Sequence, residues 1–188
     1  MVKELNRQEA WELMTEHTKS ESLRKHMLSV EAAMRFYAKK FAEDEEKWAV
    51  VGLLHDFDYE QHPTPEEHPF VGVKILTEKG YPEEVTRAIL SHADYSGVVP
   101  ETPMEKSLFA VDELTGFIVA VALVRPSKSV LDMKVKSVKK KLKTKAFAAN
   151  VSREDIQKGA EMLGLTLDEH IQNVIDAMKS IAGDLGLA

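Results

Sequence analysis

His55 and Asp56 close the apolar run Trp48 to Leu54, and no other residues in the chain suggest chemistry so directly by type and position. An imidazole and a carboxylate at the end of a core-type helix need a partner to offset their desolvation, and a metal ion serves both. With seven His and ten Asp in the chain, a His-Asp dipeptide arises by chance about one time in three. The reading therefore depends on four further positions: His26, His68, His92 and Asp112.

The composition limits which chemistry is open. There is no cysteine, so disulfides, thiolate zinc sites, iron-sulfur clusters and Cys nucleophiles are excluded, which leaves imidazole and carboxylate as ligands for hard or borderline metals. The formal net charge of −6 is uneven: Lys128 to Lys145 contains eight Lys and one Asp. A basic segment on an acidic protein argues against a general nucleic-acid binder, although such a patch can meet a phosphate. The first residues, Met1 to Glu9, are charged rather than hydrophobic, so no secretory signal is expected and the cytoplasm is the default location. Leu114 to Val124 is apolar but falls short of the about 20 residues that a membrane span requires.

The elements that must carry these residues are helices. Apolar positions recur at helical spacing almost throughout and strand-like alternation is nearly absent, so the fold class is all-α. Leu23, Met27, Val30, Met34, Tyr37 and Phe41 step by four and three residues and define a core-facing helix. Further helices are predicted over 7–17, 45–56, 69–79, 82–92, 104–124, 129–143, 152–163 and 167–184. Pro69 and Pro82 suit first turns, Ser152 with Asp155 resembles a cap, and Gly80, Gly164 and Gly183 suit helix ends. With no long linker or repeat, one domain is expected over 1–188, a core at about 20–125 followed by a helical extension at about 126–188. The polar segments 57–68 and 93–103 are natural walls for a site.

On those helices the ionisable residues fall inward. His26 borders the apolar stripe beside Met27, His55 continues the face of Trp48 and Val51, and His92 does so after Val85 and Ile89. His68, just before Pro69, is the least constrained of the four histidines. Asp112 aligns with Leu108, Thr115 and Val119, where a carboxylate costs several kcal/mol unless it is paired or metal-bound. Asp94, two residues after His92, is a candidate for proton transfer. Glu113 points about 100° away from Asp112 and is expected beside the site or on the surface, while Asp58 and Glu66 stay undecided. His17, His62 and His170 read as polar or helix-surface residues.

The ordered set His26, His55-Asp56, His68, His92 and Asp112 resembles the HD-domain (HDIG-like) superfamily of metal-dependent phosphohydrolases over about residues 20 to 125. The later segments Lys136 to Lys143 and Phe147 to Val151 are similar to a bacterial and archaeal branch of it. The resemblance implies an all-α bundle in which His26, His55, Asp56 and Asp112 hold one divalent ion. In members with two ions, positions matching His68 and His92 hold the second and the Asp of the pair bridges them. Ser91-His92-Ala93-Asp94 stands where cyclic-di-GMP phosphodiesterases carry His-His-Glu, which disfavours that activity.

The activity so implied is hydrolysis of a nucleotide or other small phosphoester by metal-activated water, with Asp56 and Asp94 as catalytic residues and one or two ions of Mn, Mg, Ni, Co, Zn or Fe. Lys134 to Lys145, Arg125 or Arg153 would meet the phosphate if the C-terminal helices fold over the site. Two rivals remain: an HD-type diiron oxygenase on the same scaffold, and a non-catalytic metal-binding regulatory module.

Overall fold

The structure, a computed structural model, describes residues 4–188. The charged N-terminal segment includes residues 1–3, which lie outside the described residues. Among the described residues the chain is all-α, with no strand. The helices are α1 (Arg7–His17), α2 (Glu21–Phe41), α3 (Glu45–Leu54), α4 (Phe70–Glu78) and α5 (Glu83–Ser91). They continue with α6 (Pro103–Leu123), α7 (Val135–Leu142), α8 (Arg153–Met162), α9 (Leu167–Lys179) and α10 (Ala182–Leu185). Within that range no helix is long and apolar enough to cross a membrane.

Local chemistry sets most of these boundaries. Asn6, Ser20, Asp44 and Ser152 each accept a backbone N–H at the start of their helix, which satisfies donors that have no partner inside the helix. Thr102 with Glu105 and Thr166 with Glu169 form reciprocal capping boxes. Pro69 and Pro82 stand one residue before α4 and α5. Gly80 and Gly164 take the left-handed conformation beyond helix ends, whereas Gly183 lies inside α10 and Gly186 fills that role after it.

Two predicted helices are shorter than their apolar pattern. The one expected over 129–143 starts only at Val135. Upstream, Ser129 Oγ accepts from the Leu131 N–H at 3.0 Å and donates to the Leu187 carbonyl at 3.1 Å, while Arg125 grips Asp132. Such side-chain bonds offer the backbone an alternative to the helix. The one expected over 167–184 stops at Lys179, where Ser180 Oγ bonds back to the Ala177 carbonyl at 2.6 Å.

Helices α2 and α6 pack against each other at the centre, with α3 and α9 on α2 and α8 on α6. Met27, Val30, Met34 and Tyr37 from α2 meet Leu108, Val111, Leu114 and Ile118 from α6 in one core, all fully buried. Each such Leu, Ile or Met contributes about 1.5–3 kcal/mol relative to exposure. The same core takes in Ile156 of α8 and Ile171, Val174 and Ile175 of α9. Helix α8 reaches α6 through Gly159, where a Cβ would lie 2.6 Å from Ala110 Cα.

His170 departs from the surface position expected of it. It is fully buried, donating from Nε2 to the Ala110 carbonyl at 2.8 Å and accepting at Nδ1 from the Tyr37 hydroxyl at 2.6 Å. It stands beside Ile171 and four residues before Val174, the spacing that also turns His26 inward. Burial pushes its pKa from 6.5 down to about 4. Because the folded state holds the lower value, the stabilisation is full above about pH 6.5 and is lost as pH falls toward about 4, a swing of about 3 kcal/mol. In urea denaturation, wild type should lose more stability than His170→Gln between about pH 7 and about pH 4.5. Parallel pH profiles would assign the acid sensitivity to other groups.

Candidate metal centre

Five elements deliver six donors to one point. His26 projects from α2, His55 and Asp56 follow the last turn of α3, and His68 precedes α4. His92 caps α5 and Asp112 stands inside α6. Their donor atoms form two groups, each within 4.8 Å: His26, His55, Asp56 and Asp112, and Asp56, His68 and His92. Asp56 belongs to both. Its Oδ2 lies 3.4 Å from His55 Nε2 and 3.6 Å from His26 Nε2, and its Oδ1 lies 3.2 Å from His68 Nε2 and 3.3 Å from His92 Nε2. Asp112 Oδ1 closes the first group at 3.0 Å from His26 Nε2 and 3.4 Å from His55 Nε2.

The helix ends explain why the rings point this way. The last carbonyls of a helix lack intrahelical donors, and His55 Nδ1 donates to the Gly52 carbonyl at 2.8 Å, as His92 Nδ1 does to that of Ile89 at 2.5 Å. Each bond fixes the proton on Nδ1 and turns the Nε2 lone pair toward Asp56. The negative ends of α3 and α5 thereby face the cluster and favour a cation.

His68, which the sequence constrains least, is among the most tightly held. It is buried, and its Nδ1 bonds Asp58 Oδ1 at 2.8 Å, while Asp58 Oδ2 accepts the Gly72 N–H at 2.7 Å. A Cβ at Gly72 would lie 2.8 Å from Asp58 Cγ, so glycine permits this approach. The sequence leaves Asp58 undecided. Its signal is the alternation Asp56-Phe57-Asp58 ahead of His68, with Phe57 turned into the core.

The electrostatics ask for positive charge. Burial pushes the His55 imidazole down, but the charges and hydrogen bonds of Asp56 and Asp112 outweigh it and hold the pKa well above the usual value. Burial likewise opposes protonation of His68, and hydrogen bonds to Asp56 and Asp58 lift it to about 9. Burial would raise Asp56 and Asp112, yet the surrounding imidazoles hold both well below the carboxylate range. His26 Nε2 and His55 Nε2 are 3.3 Å apart, a spacing at which two bare lone pairs repel. A proton on His55 or a divalent cation can supply the positive charge that these groups share, and imidazole with carboxylate suits Mn, Fe, Co, Ni or Zn.

All the donors but the fully buried His55 line a cavity of about 350 Å³ whose other walls include Leu23, Tyr59, Glu113, Gly116 and Val151. Glu113 accepts the Ser152 N–H at 3.1 Å, and burial with the Asp112 charge raises its pKa to about 7. Asp94 is not brought to the cluster. It lies on an exposed turn, 3.7 Å from Lys158 Nζ, and borders an adjoining hollow of about 230 Å³ shared with His92, Asp112 and Glu113. The Lys and Arg residues that the sequence offers to a phosphate do not line the cavity. Arg125 is held by Asp132, Arg153 by the carbonyls of Ala148, Val151 and Phe147, and Lys139 by Asp168. Lys141 stacks on Phe147. His17 packs edge-on against Phe57, His62 pairs with Glu67, and Glu66 is exposed.

Residues 23–115 match the family model of the HD domain. The chain belongs to the HD-domain superfamily. HD domains bind divalent metals, and both groups around Asp56 have the donor chemistry to do so. Comparison with curated proteins and with solved structures gives no match.

In the HD domain of this chain, Asp58 orients His68 rather than donating to the cluster. Asp58→Asn should weaken divalent-ion binding at Asp56, His68 and His92 by about 10- to 100-fold while sparing binding at His26, His55, Asp56 and Asp112. Manganese titration followed by calorimetry measures this. Equal weakening at both donor groups would show that Asp58 supports the fold rather than one ligand.

Proposed function

We propose that this protein is a metal-dependent phosphohydrolase that cleaves a nucleotide or other small phosphoester with an activated water. The observation that carries the reading is Asp56, whose two oxygens face two separate imidazole groups. That is the disposition of a carboxylate shared by two ions. His26, His55, Asp56 and Asp112, and Asp56, His68 and His92, would hold divalent ions, which when bound would supply Lewis-acid charge to the phosphoryl oxygens and lower the pKa of water.

The chain's own residues do the rest. His55, His68 and His92 keep their Nε2 atoms fixed through bonds at Nδ1, so no reorganisation is needed when substrate arrives. Leu23 and Val151 give the cavity apolar wall, which displaces water beside the reacting group. Asp94, at the solvent edge of the adjoining hollow, takes the role of passing a proton outward. The substrate is a small molecule rather than a nucleic acid, in keeping with the acidic net charge, and the cytoplasm is the compartment that goes with this reading.

Elemental analysis joined to a phosphate-release screen over nucleotides and phosphorylated metabolites tests the proposal. We expect up to two divalent ions per chain and release of phosphate by at least one substrate. Asp56→Ala should lose most metal and all activity, whereas His68→Ala or His92→Ala should lower the metal content toward one ion. Full metal retention by Asp56→Ala would overturn the site assignment, and bound iron with oxygen consumption but no phosphate release would point to the oxygenase chemistry of the same scaffold. Asp94→Asn should lower kcat by about 10- to 100-fold with metal content unchanged.

A further inference from the structure

Gly116 stands in the interior of α6, where glycine costs about 0.5–1 kcal/mol relative to alanine. At Gly159 close packing explains the glycine, because a Cβ would strike Ala110. At Gly116 a Cβ would meet nothing within 4 Å. Packing therefore gives no reason for its presence, and the space it leaves open is the feature to explain.

That space joins two hollows. Gly116 and His26 border both the metal-site cavity and a groove of about 560 Å³ that runs along α6 to the C-terminal turn. Its apolar walls are Val119, Leu123, Leu185 and Leu187, with Ser22 and Gly186 beside them. Its charged residues, Glu21 and Lys25, are paired with each other at 2.8 Å. From Gly116 to Leu123 the helix rises by about 10.5 Å, and the volume lies within the about 300–1,000 Å³ typical of small-molecule sites.

The other neighbour of the metal cavity has the opposite character. Its lining carries Asp94, Asp155 and Asp112 beside Glu113, with His92, Tyr95 and Phe109 completing the wall, so carboxylates outnumber cations there and disfavour a further anionic group. Among the described residues no Lys or Arg lines either cavity, and the cation at the hollow's edge, Lys158, is engaged by Asp94 at 3.7 Å and by the Phe109 ring. The cavity thus suits a single phosphate at the metal ligands, and the groove suits an uncharged, hydrophobic remainder.

We propose that the groove beyond Gly116 receives an apolar arm, an alkyl chain or a comparably hydrophobic group, of a phosphomonoester whose phosphate lies against the metal ligands. This rests on the phosphohydrolase reading above and narrows its substrate to monophosphates with an apolar body. Gly116 and His26 form the threshold, and Leu123, which is 53% exposed, marks the open end.

The test uses the full chain loaded with manganese and a series of methyl-, butyl- and octylphosphonate, measured by calorimetry. Phosphate release from the matching n-alkyl phosphates is followed in parallel. Wild type should bind about threefold more tightly for each added methylene at first, reaching at least about thirtyfold between methyl and octyl. Gly116→Leu fills the threshold and Leu123→Asp charges the open end. In each, the octyl-to-methyl ratio should fall to about threefold or less. Thermal melting and metal content accompany both variants, and the exposed Leu123 site remains informative if Gly116→Leu folds poorly.

Binding of all phosphonates with no dependence on chain length would overturn the groove and leave the phosphohydrolase reading intact. A wild-type ratio retained in Leu123→Asp would overturn it as well, by showing that the chain adsorbs elsewhere. If neither methylphosphonate nor inorganic phosphate binds and no alkyl phosphate is hydrolysed, the groove assignment falls; the phosphohydrolase reading falls with it only when the screen over nucleotides and phosphorylated metabolites also releases no phosphate.

Discussion

Four imidazoles face one carboxylate, and that arrangement is stable only with added positive charge. Asp56 is within 3.6 Å of the Nε2 atoms of His26, His55, His68 and His92, and Asp112 adds a second carboxylate to two of them. Without an ion, protons on His55 and His68 must serve as the counter-charge, which is why both imidazoles are held above their usual range. The helix ends are arranged around this requirement. Three of the four rings are anchored at Nδ1, two by carbonyls that the ends of α3 and α5 leave free and one by Asp58. The capping that completes a helix thus also orients a ligand.

Much of this site is legible in the amino-acid sequence because inward-facing polar residues conflict with an apolar stripe. Asp112 between Leu108 and Thr115, and His55 after Trp48 and Val51, follow from helical periodicity, and both stand where that periodicity puts them. Residues outside the regular helices are less legible. His68 looks free in the sequence because periodicity says nothing about a loop, yet Asp58 and Gly72 hold the loop in place through contacts that spacing does not encode. His170 is buried where a surface position is expected, although its spacing resembles that of His26. The burial that distinguishes it comes from Tyr37 and Ala110, on helices distant in sequence. The Lys-rich segment misleads in another way. A run of like charge suggests a ligand, but Val138 is the only buried residue of its helix and the cations lie away from the cavity.

The stretch beyond α6 is integrated with the site rather than merely appended. Glu113, next to Asp112, accepts the N–H of Ser152 at the start of α8, and Val151 contributes a wall of the cavity. Gly159 brings α8 against Ala110, whose carbonyl also receives His170 from α9. Helices α8 and α9 therefore brace the turn of α6 from which Asp112 projects.

This bracing bears on where the protein can be divided. The family match ends at residue 115, but α6 continues to Leu123, and Phe117, Ile118, Val121 and Ala122 in that continuation are buried. A fragment trimmed to the family boundary would end in mid-helix, strip the cover from the apolar face of α2 and lose the α8 contact that steadies Asp112. The length recognised by similarity is shorter than the length that packs into one core, and a segment cut out by homology alone would arrive without the scaffold that shapes its cluster of donors.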